Sequence, residues 1–167
     1  KHKFKRVELN NFEININLKD FKKYKDIFTK KIDFIPTTFN KGQIIFFNGK
    51  DYVATINDTK LNFILEEDSK ESVLKGKFLN DSIYISLSSE KIDDKLSTDI
   101  ILKMSDLNLL TKANFFNSEK NKDAINGNIL IKKDKNRFTG TLSYKDKEII
   151  ISESNLNNNF LDGILVG

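Results

Sequence analysis

Ile100-Ile101-Leu102-Lys103-Met104-Ser105 places Ile100, Leu102 and Met104 on one parity and Ile101, Lys103 and Ser105 on the other. A period of two sends alternate side chains to opposite faces of a sheet, so the stretch reads as a β-strand. The pattern recurs outward in both directions. Leu61, Phe63 and Leu65 alternate with Asn62, Ile64 and Glu66, and Ile83, Ile85 and Leu87 alternate with Tyr84, Ser86 and Ser88. From Gly42 to Gly167 the chain is strand after short strand, separated by turn residues such as Asn48-Gly49, Asn80-Asp81 and Lys145-Asp146. Asn, Asp and Gly tolerate the left-handed backbone that tight hairpins require. The expected fold class is mainly β. About ten short strands form an antiparallel meander, because hairpin-length links make antiparallel neighbours. That meander curves into a sheet or open groove.

The first part of the chain differs. Phe12 to Leu18 alternates with Glu13, Asn15 and Asn17 and reads as a strand. Phe21, Tyr24, Ile27 and Phe28 fall three or four apart, which predicts one short amphipathic helix over about residues 19–31. Asp20 in its first turn and Lys30-Lys31 in its last suit the helix dipole. Residues 1–167 are expected to form a single β-rich segment, with strand plus helix over 1–41 and the meander over 42–167. A faint repeat runs through it. Leu74-Lys75-Gly76-Lys77-Phe78 followed by Ile83-Tyr84-Ile85-Ser86 resembles Phe138-Thr139-Gly140-Thr141-Leu142 followed by Ile149-Ile150-Ile151-Ser152.

Composition narrows the function classes. The net charge is +4, but only Arg6 and Arg137 of the 28 basic residues are arginine. The lysines are interleaved with acids, so no nucleic-acid partner is expected. The abundance of Lys, Asn, Ile and Phe suggests an AT-rich genome. With no cysteine and one histidine, His2, neither a thiol nucleophile nor a triad can be assembled. Glu66-Glu67 and Asp93-Asp94 read as solvated turns. Asn121-Lys122-Asp123 lacks the further ligands of a calcium loop. The expectation is a protein that is not an enzyme, with no catalytic residue, metal or cofactor.

The wide apolar face needs a purpose, since soluble monomers rarely expose more than a few hundred Å² of it. It could close into a barrel or sandwich, face the lipid of an outer membrane, or line an open groove that holds acyl chains. Membrane strands need about 9–11 residues, and most of these read shorter. The candidate groove lining, from alternation, is Leu61, Phe63, Leu65, Leu74, Phe78, Ile83, Ile85, Leu87, Ile100, Leu102, Met104, Leu107, Leu109, Ile129, Ile131, Phe138, Leu142, Ile149 and Ile151. Each position equally suits an ordinary core.

The closing stretch, Ile149-Ile150-Ile151-Ser152-Glu153-Ser154-Asn155-Leu156, continues through Phe160-Leu161-Asp162-Gly163-Ile164-Leu165-Val166-Gly167. It resembles the repeating unit near the C-terminus of AsmA-like proteins. Gly127-Asn128-Ile129-Leu130-Ile131 and Phe138-Thr139-Gly140-Thr141-Leu142 are similar to the hairpins that precede it there. The likeness extends thinly through Gly42-Gln43-Ile44 and Leu74-Lys75-Gly76-Lys77-Phe78. The resemblance implies a periplasmic β-groove protein of Gram-negative bacteria, tethered to the inner membrane by an anchor outside this sequence. It implies roles in phospholipid transfer and outer-membrane assembly, with phospholipid or another acyl-chain lipid as partner. The chain would then be one section of a longer protein. The rival expectation is a structural β-module of an envelope or surface protein, with a closed core and no ligand.

Overall fold

The computed structural model describes residues 5–20, 35–65, 69–92, 95–118, 121–145, 148–157 and 162–163. They divide into two compact units, Lys1–Ile83 and Tyr84–Gly167, so the expected boundary at residues 41 and 42 falls within the first. The structure is mainly β, as the alternation predicts.

The first unit holds β1 (Val7–Asn10), β2 (Glu13–Asn17), β3 (Thr37–Asn48), β4 (Asp51–Leu65) and β5 (Ser69–Phe78). β3 pairs antiparallel with β4, and β4 with β5. The strands before the expected meander pair differently. β1 and β2 both run parallel to β3, one after the other along it, with Val7 beside Thr37 and Glu13 beside Gln43. Hydrophobic alternation encodes which face a residue takes but not strand direction, so the sequence pattern could not reveal this. The expected helix is also corrected where it can be seen. Leu18–Asp20 form a single 3-10 turn, and the rest of the predicted span lies outside the described residues. No α-helix occurs among the described residues.

β6 (Asp81–Ile92) begins in the first unit and continues into the second. The second unit adds β7 (Lys95–Met104), β8 (Leu109–Ser118), β9 (Asn121–Lys133), β10 (Asn136–Lys145), β11 (Glu148–Asn157) and β12 (Asp162–Gly163). From β7 onward each strand pairs antiparallel with the next, the meander that hairpin-length links predict. The strands are longer than expected: β4 has 15 residues and β9 has 13. Polar residues such as Ser69-Lys70-Glu71 extend each ladder beyond its apolar centre. Strand length therefore no longer separates these strands from membrane-spanning ones.

Turn chemistry follows the sequence with one shift. The β3–β4 turn centres on Gly49-Lys50 rather than Asn48-Gly49, because Asn48 pairs with Asp51. Gly49 takes φ 72°, and Asn17 clasps it through Gly49 N–H to Oδ1 at 3.0 Å and Nδ2 to Gly49 O at 3.3 Å. Between β5 and β6, Leu79 and Asn80 both take positive φ, at 51° and 67°. That is the type I′ pattern, which suits Asn and strains Leu.

A shared device bends both units. Asn57 pairs with Lys77 and Lys60 with Lys75, so Asp58 and Thr59 together face Gly76. Ser152 pairs with Thr141 and Asn155 with Thr139, so Glu153 and Ser154 together face Gly140. Two residues opposite one define a β-bulge, which bends the strand and raises its twist. Asp58 (φ 49°) and Glu153 (φ 48°) take the left-handed conformation, and each precedes a small buried residue, Thr59 or Ser154. β3 bulges alongside at Asn40-Lys41, with Lys41 at φ 55°. There the Phe12 ring packs directly onto Gly42, which has no side chain to displace it.

Candidate functional site

Cross-strand partners share a face, so the registers assign every strand position to one side of its sheet. In the second unit, Ile100, Ala113, Ile129 and Gly140 form one row. Leu102, Thr111, Ile131, Phe138 and Leu156 form the next, and Thr98, Phe115, Gly127, Leu142 and Ile151 the one on the other side. Met104 pairs with Leu109 on the same face. Ser89 hydrogen-bonds Thr98 at 2.9 Å, which brings Ile85 and Leu87 of β6 onto this face too. The registers thus place the candidate lining residues Ile85, Leu87, Ile100, Leu102, Met104, Leu109, Ile129, Ile131, Phe138, Leu142 and Ile151 on one side. Ile149 joins them by backbone register, opposite Tyr144. Leu107 does not: it lies in the turn before β8 and is 46% exposed.

In the first unit, Leu61 faces Leu74, Ile56 faces Phe78 and Phe63 faces Ser72, all on one side. Leu65 belongs to this parity by its pairing with Lys70. Phe12, Phe39 and Phe63 stack edge to face, with centroids 5.3 and 6.1 Å apart. Phe12, Phe39, Ile44, Ile56, Ala113 and Phe115 belong to these faces although the alternation-based lining omits them. Bulges shift the parity around Phe39, Ile44 and Ile56, whereas Ala113 and Phe115 keep regular alternation with Leu109.

Burial differs between the two units. Ile44, Ile56 and Leu61 are 4%, 5% and 7% exposed, a true if small core in the first unit, and Ile83 is buried at 8%. Among the described apolar side chains of the second unit, only Met104 and Ala113 reach that level, at 8% each. Ile100, Leu102, Phe115, Ile129, Ile131, Phe138, Leu142 and Ile151 stay half-buried. No helix among the described residues is long and apolar enough to cross a membrane.

The opposite, polar face of the second unit carries a cleft of about 520 Å³. Asp99, Asn114, Asn128 and Thr141 line it in a row that continues to Glu153 at the bulge. Asn114 Nδ2 donates to Asp99 Oδ1 at 2.8 Å and to Ser97 Oγ at 3.3 Å. The Thr141 hydroxyl lies 3.3 Å from Asn128 Oδ1 and 3.4 Å from Glu153 Oε2. Ile101, Lys112, Leu130 and Thr139 form the adjacent row. Ile100 and Ile129 border this cleft too, but their side chains belong to the other face, so they contribute backbone to its floor.

Two clefts mark the polar face of the first unit. One, about 280 Å³, is bounded by Arg6, Thr38, Asn62 and Glu71. Arg6 donates to the buried Thr38 hydroxyl at 2.8 Å, while Asn62 Oδ1 is buried with no hydrogen-bond partner among the described residues. The other lies beside the bulges, between Lys41, Asp58 and Lys60. Two carboxyls elsewhere sit below the usual range. Gln43 and Asn15 hydrogen-bond Glu13, and Lys133 and Asn108 hydrogen-bond Asp134, stabilising the ionised forms. No cluster of three or more His, Cys, Asp or Glu able to hold a metal occurs among the described residues.

No family model matches the chain, and neither a curated protein nor a solved structure matches it.

Proposed function

We propose that the chain is a non-enzymatic, lipid-binding β-segment whose apolar face accepts the acyl chains of phospholipid. One observation carries this reading. Ile100, Leu102, Ile129, Ile131, Phe138 and Ile151 share one face in adjacent rows and are only half-buried there. Acyl chains need apolar area rather than specific polar partners. Each buried CH₂ is worth about 0.8 kcal/mol, so a few aliphatic rows suffice. The AsmA-like resemblance of the closing stretch supports the same reading. It would place the chain in the periplasm of a Gram-negative cell, tethered to the inner membrane and serving lipid transfer or outer-membrane assembly as part of a longer protein.

The first unit favours a second reading. Its buried Ile44, Ile56 and Leu61 suit a structural β-module with a closed core and no ligand. Native mass spectrometry of the purified chain, with lipid extraction, separates the two. Copurifying phospholipid that Ile100→Asp removes while the β-sheet circular dichroism persists is the expected result. No bound lipid, or global unfolding of Ile100→Asp as a charge enters a closed core, overturns the lipid reading.

A further inference from the structure

The two bulges are built alike but finished differently. In the first unit the left-handed residue is Asp58, and Lys77, the neighbour of the opposing Gly76, neutralises it at 3.0 Å. In the second unit the left-handed residue is Glu153, and the neighbour of the opposing Gly140 is Thr141, a hydroxyl at 3.4 Å. A glutamate held at φ 48° is uncommon outside Gly, Asn and Asp, and bulges commonly re-aim a side chain toward a binding surface. Here the bulge brings a carboxylate with no ion pair among the described residues to the end of the 520 Å³ cleft.

From Asp99 to Glu153 the polar row crosses β7 to β11, about 19 Å at the usual strand spacing. Taken together the rungs offer both acceptors and donors: carboxylates that accept at the two ends, amides at Asn114 and Asn128, a hydroxyl at Thr141, and the donating ammonium of Lys112 in the next row. Ile101 and Leu130 supply apolar floor beside it. Sugar hydroxyls donate and accept at once, pyranose rings also present an apolar C–H face, and rings in an extended glycan recur at an interval close to the strand spacing. A polyamine offers donors alone and would meet Lys112 and the amide Nδ2 groups with like polarity.

We propose that this polar face of the second unit is an oligosaccharide-binding surface, with the glycan laid across β7 to β11 and its hydroxyls shared along the row from Asp99 to Glu153. This site lies on the face opposite the apolar rows and does not depend on the lipid reading.

The test is an NMR titration of the isotope-labelled chain with chitotetraose and, separately, cellotetraose, with spermidine as a third probe. At millimolar saccharide, shifts are expected in the Asn114 and Asn128 side-chain amides and the Glu153 backbone. At least a fivefold loss of affinity is expected in both Glu153→Gln and Asn128→Ala, with unchanged spectra elsewhere. Thr141→Val provides an independent variant should either of these perturb the fold. No shift with either tetrasaccharide, shifts away from this row, or response to spermidine alone would each overturn the proposal.

Discussion

Thr59 and Gly76 face one another across β4 and β5 so closely that a Cβ on Gly76 would stand 3.3 Å from Thr59 Oγ1. The Thr59 side chain has no solvent exposure, and its hydroxyl donates to Ile56 O at 2.9 Å. The bulge therefore closes around a glycine rather than merely tolerating one.

Glycines at the two matched bulges should then respond differently to a methyl group. At Gly76 the added Cβ would meet Asn57 O and Ile56 Cγ2, each at 2.8 Å, and one of these is backbone that cannot easily move. Gly76→Ala should cost about 1–3 kcal/mol, as overpacking does. At Gly140 the nearest atoms are side chains, Phe138 Cζ at 3.3 Å and Ile151 Cγ2 at 3.5 Å. Gly140→Ala should be neutral to within about 0.5 kcal/mol, the two effects offsetting. Urea denaturation of both variants checks the contrast. Equal losses would mean that the crowding at Gly76 is relieved in solution.

Leu79 is the misfit among the turns. It is 82% exposed and held at φ 51°, where a branched side chain gains nothing from packing and strains the backbone. Leu79→Asn should stabilise the chain by about 1 kcal/mol, a rise of about 2–4 °C in melting temperature for a protein of this size. A lower melting temperature would show that Leu79 makes a contact which its exposure does not suggest.

The half-buried apolar face makes a prediction about core energetics. Ile44→Ala, at a site 4% exposed, should cost about 2–5 kcal/mol. Ile100→Ala, at a half-buried site, should cost about 1 kcal/mol. Comparable losses at the two positions would place a covering layer over Ile100 in solution.

Glu13 and Asp134 give the acid limb of stability a definite sign. Hydrogen bonds from Gln43 and Asn15 lower the Glu13 carboxyl, and those from Lys133 and Asn108 lower Asp134. A depressed carboxylate contributes stability above its unfolded value, about 4 for these groups, and loses it as pH falls through the folded value. Side-chain carboxyl titrations followed by NMR should show both midpoints below those of exposed carboxylates in the same chain. Gln43→Ala should return Glu13 toward its ordinary value without moving Asp134.

The sequence carried the β class and most of the face assignment because both rest on parity. Ile100, Leu102, Ile129, Ile131 and Phe138 fell on one side as read, since regular strands keep a strict period of two. It did not carry the bulges. Lys41 and Glu153 adopt left-handed backbone though nothing in their identity announces it, and Asp58, whose type tolerates it, lies in the middle of a strand rather than in a turn. Leu107 failed for the opposite reason: an apolar side chain in a turn imitates the start of a strand. The polar cleft was invisible because its residues come from five strands, and only the register brings Asp99 into one row with Glu153.

The parallel placement of β1 and β2 has a consequence in time. Every other ladder described joins strands that follow one another in the chain, so its loop closes over few residues. Docking Val7 beside Thr37 closes a far larger loop, and it needs β3 in place as a template. The N-terminal arm should thus dock late on refolding. Until it does, the outer edge of β3 stays open to any other strand within reach.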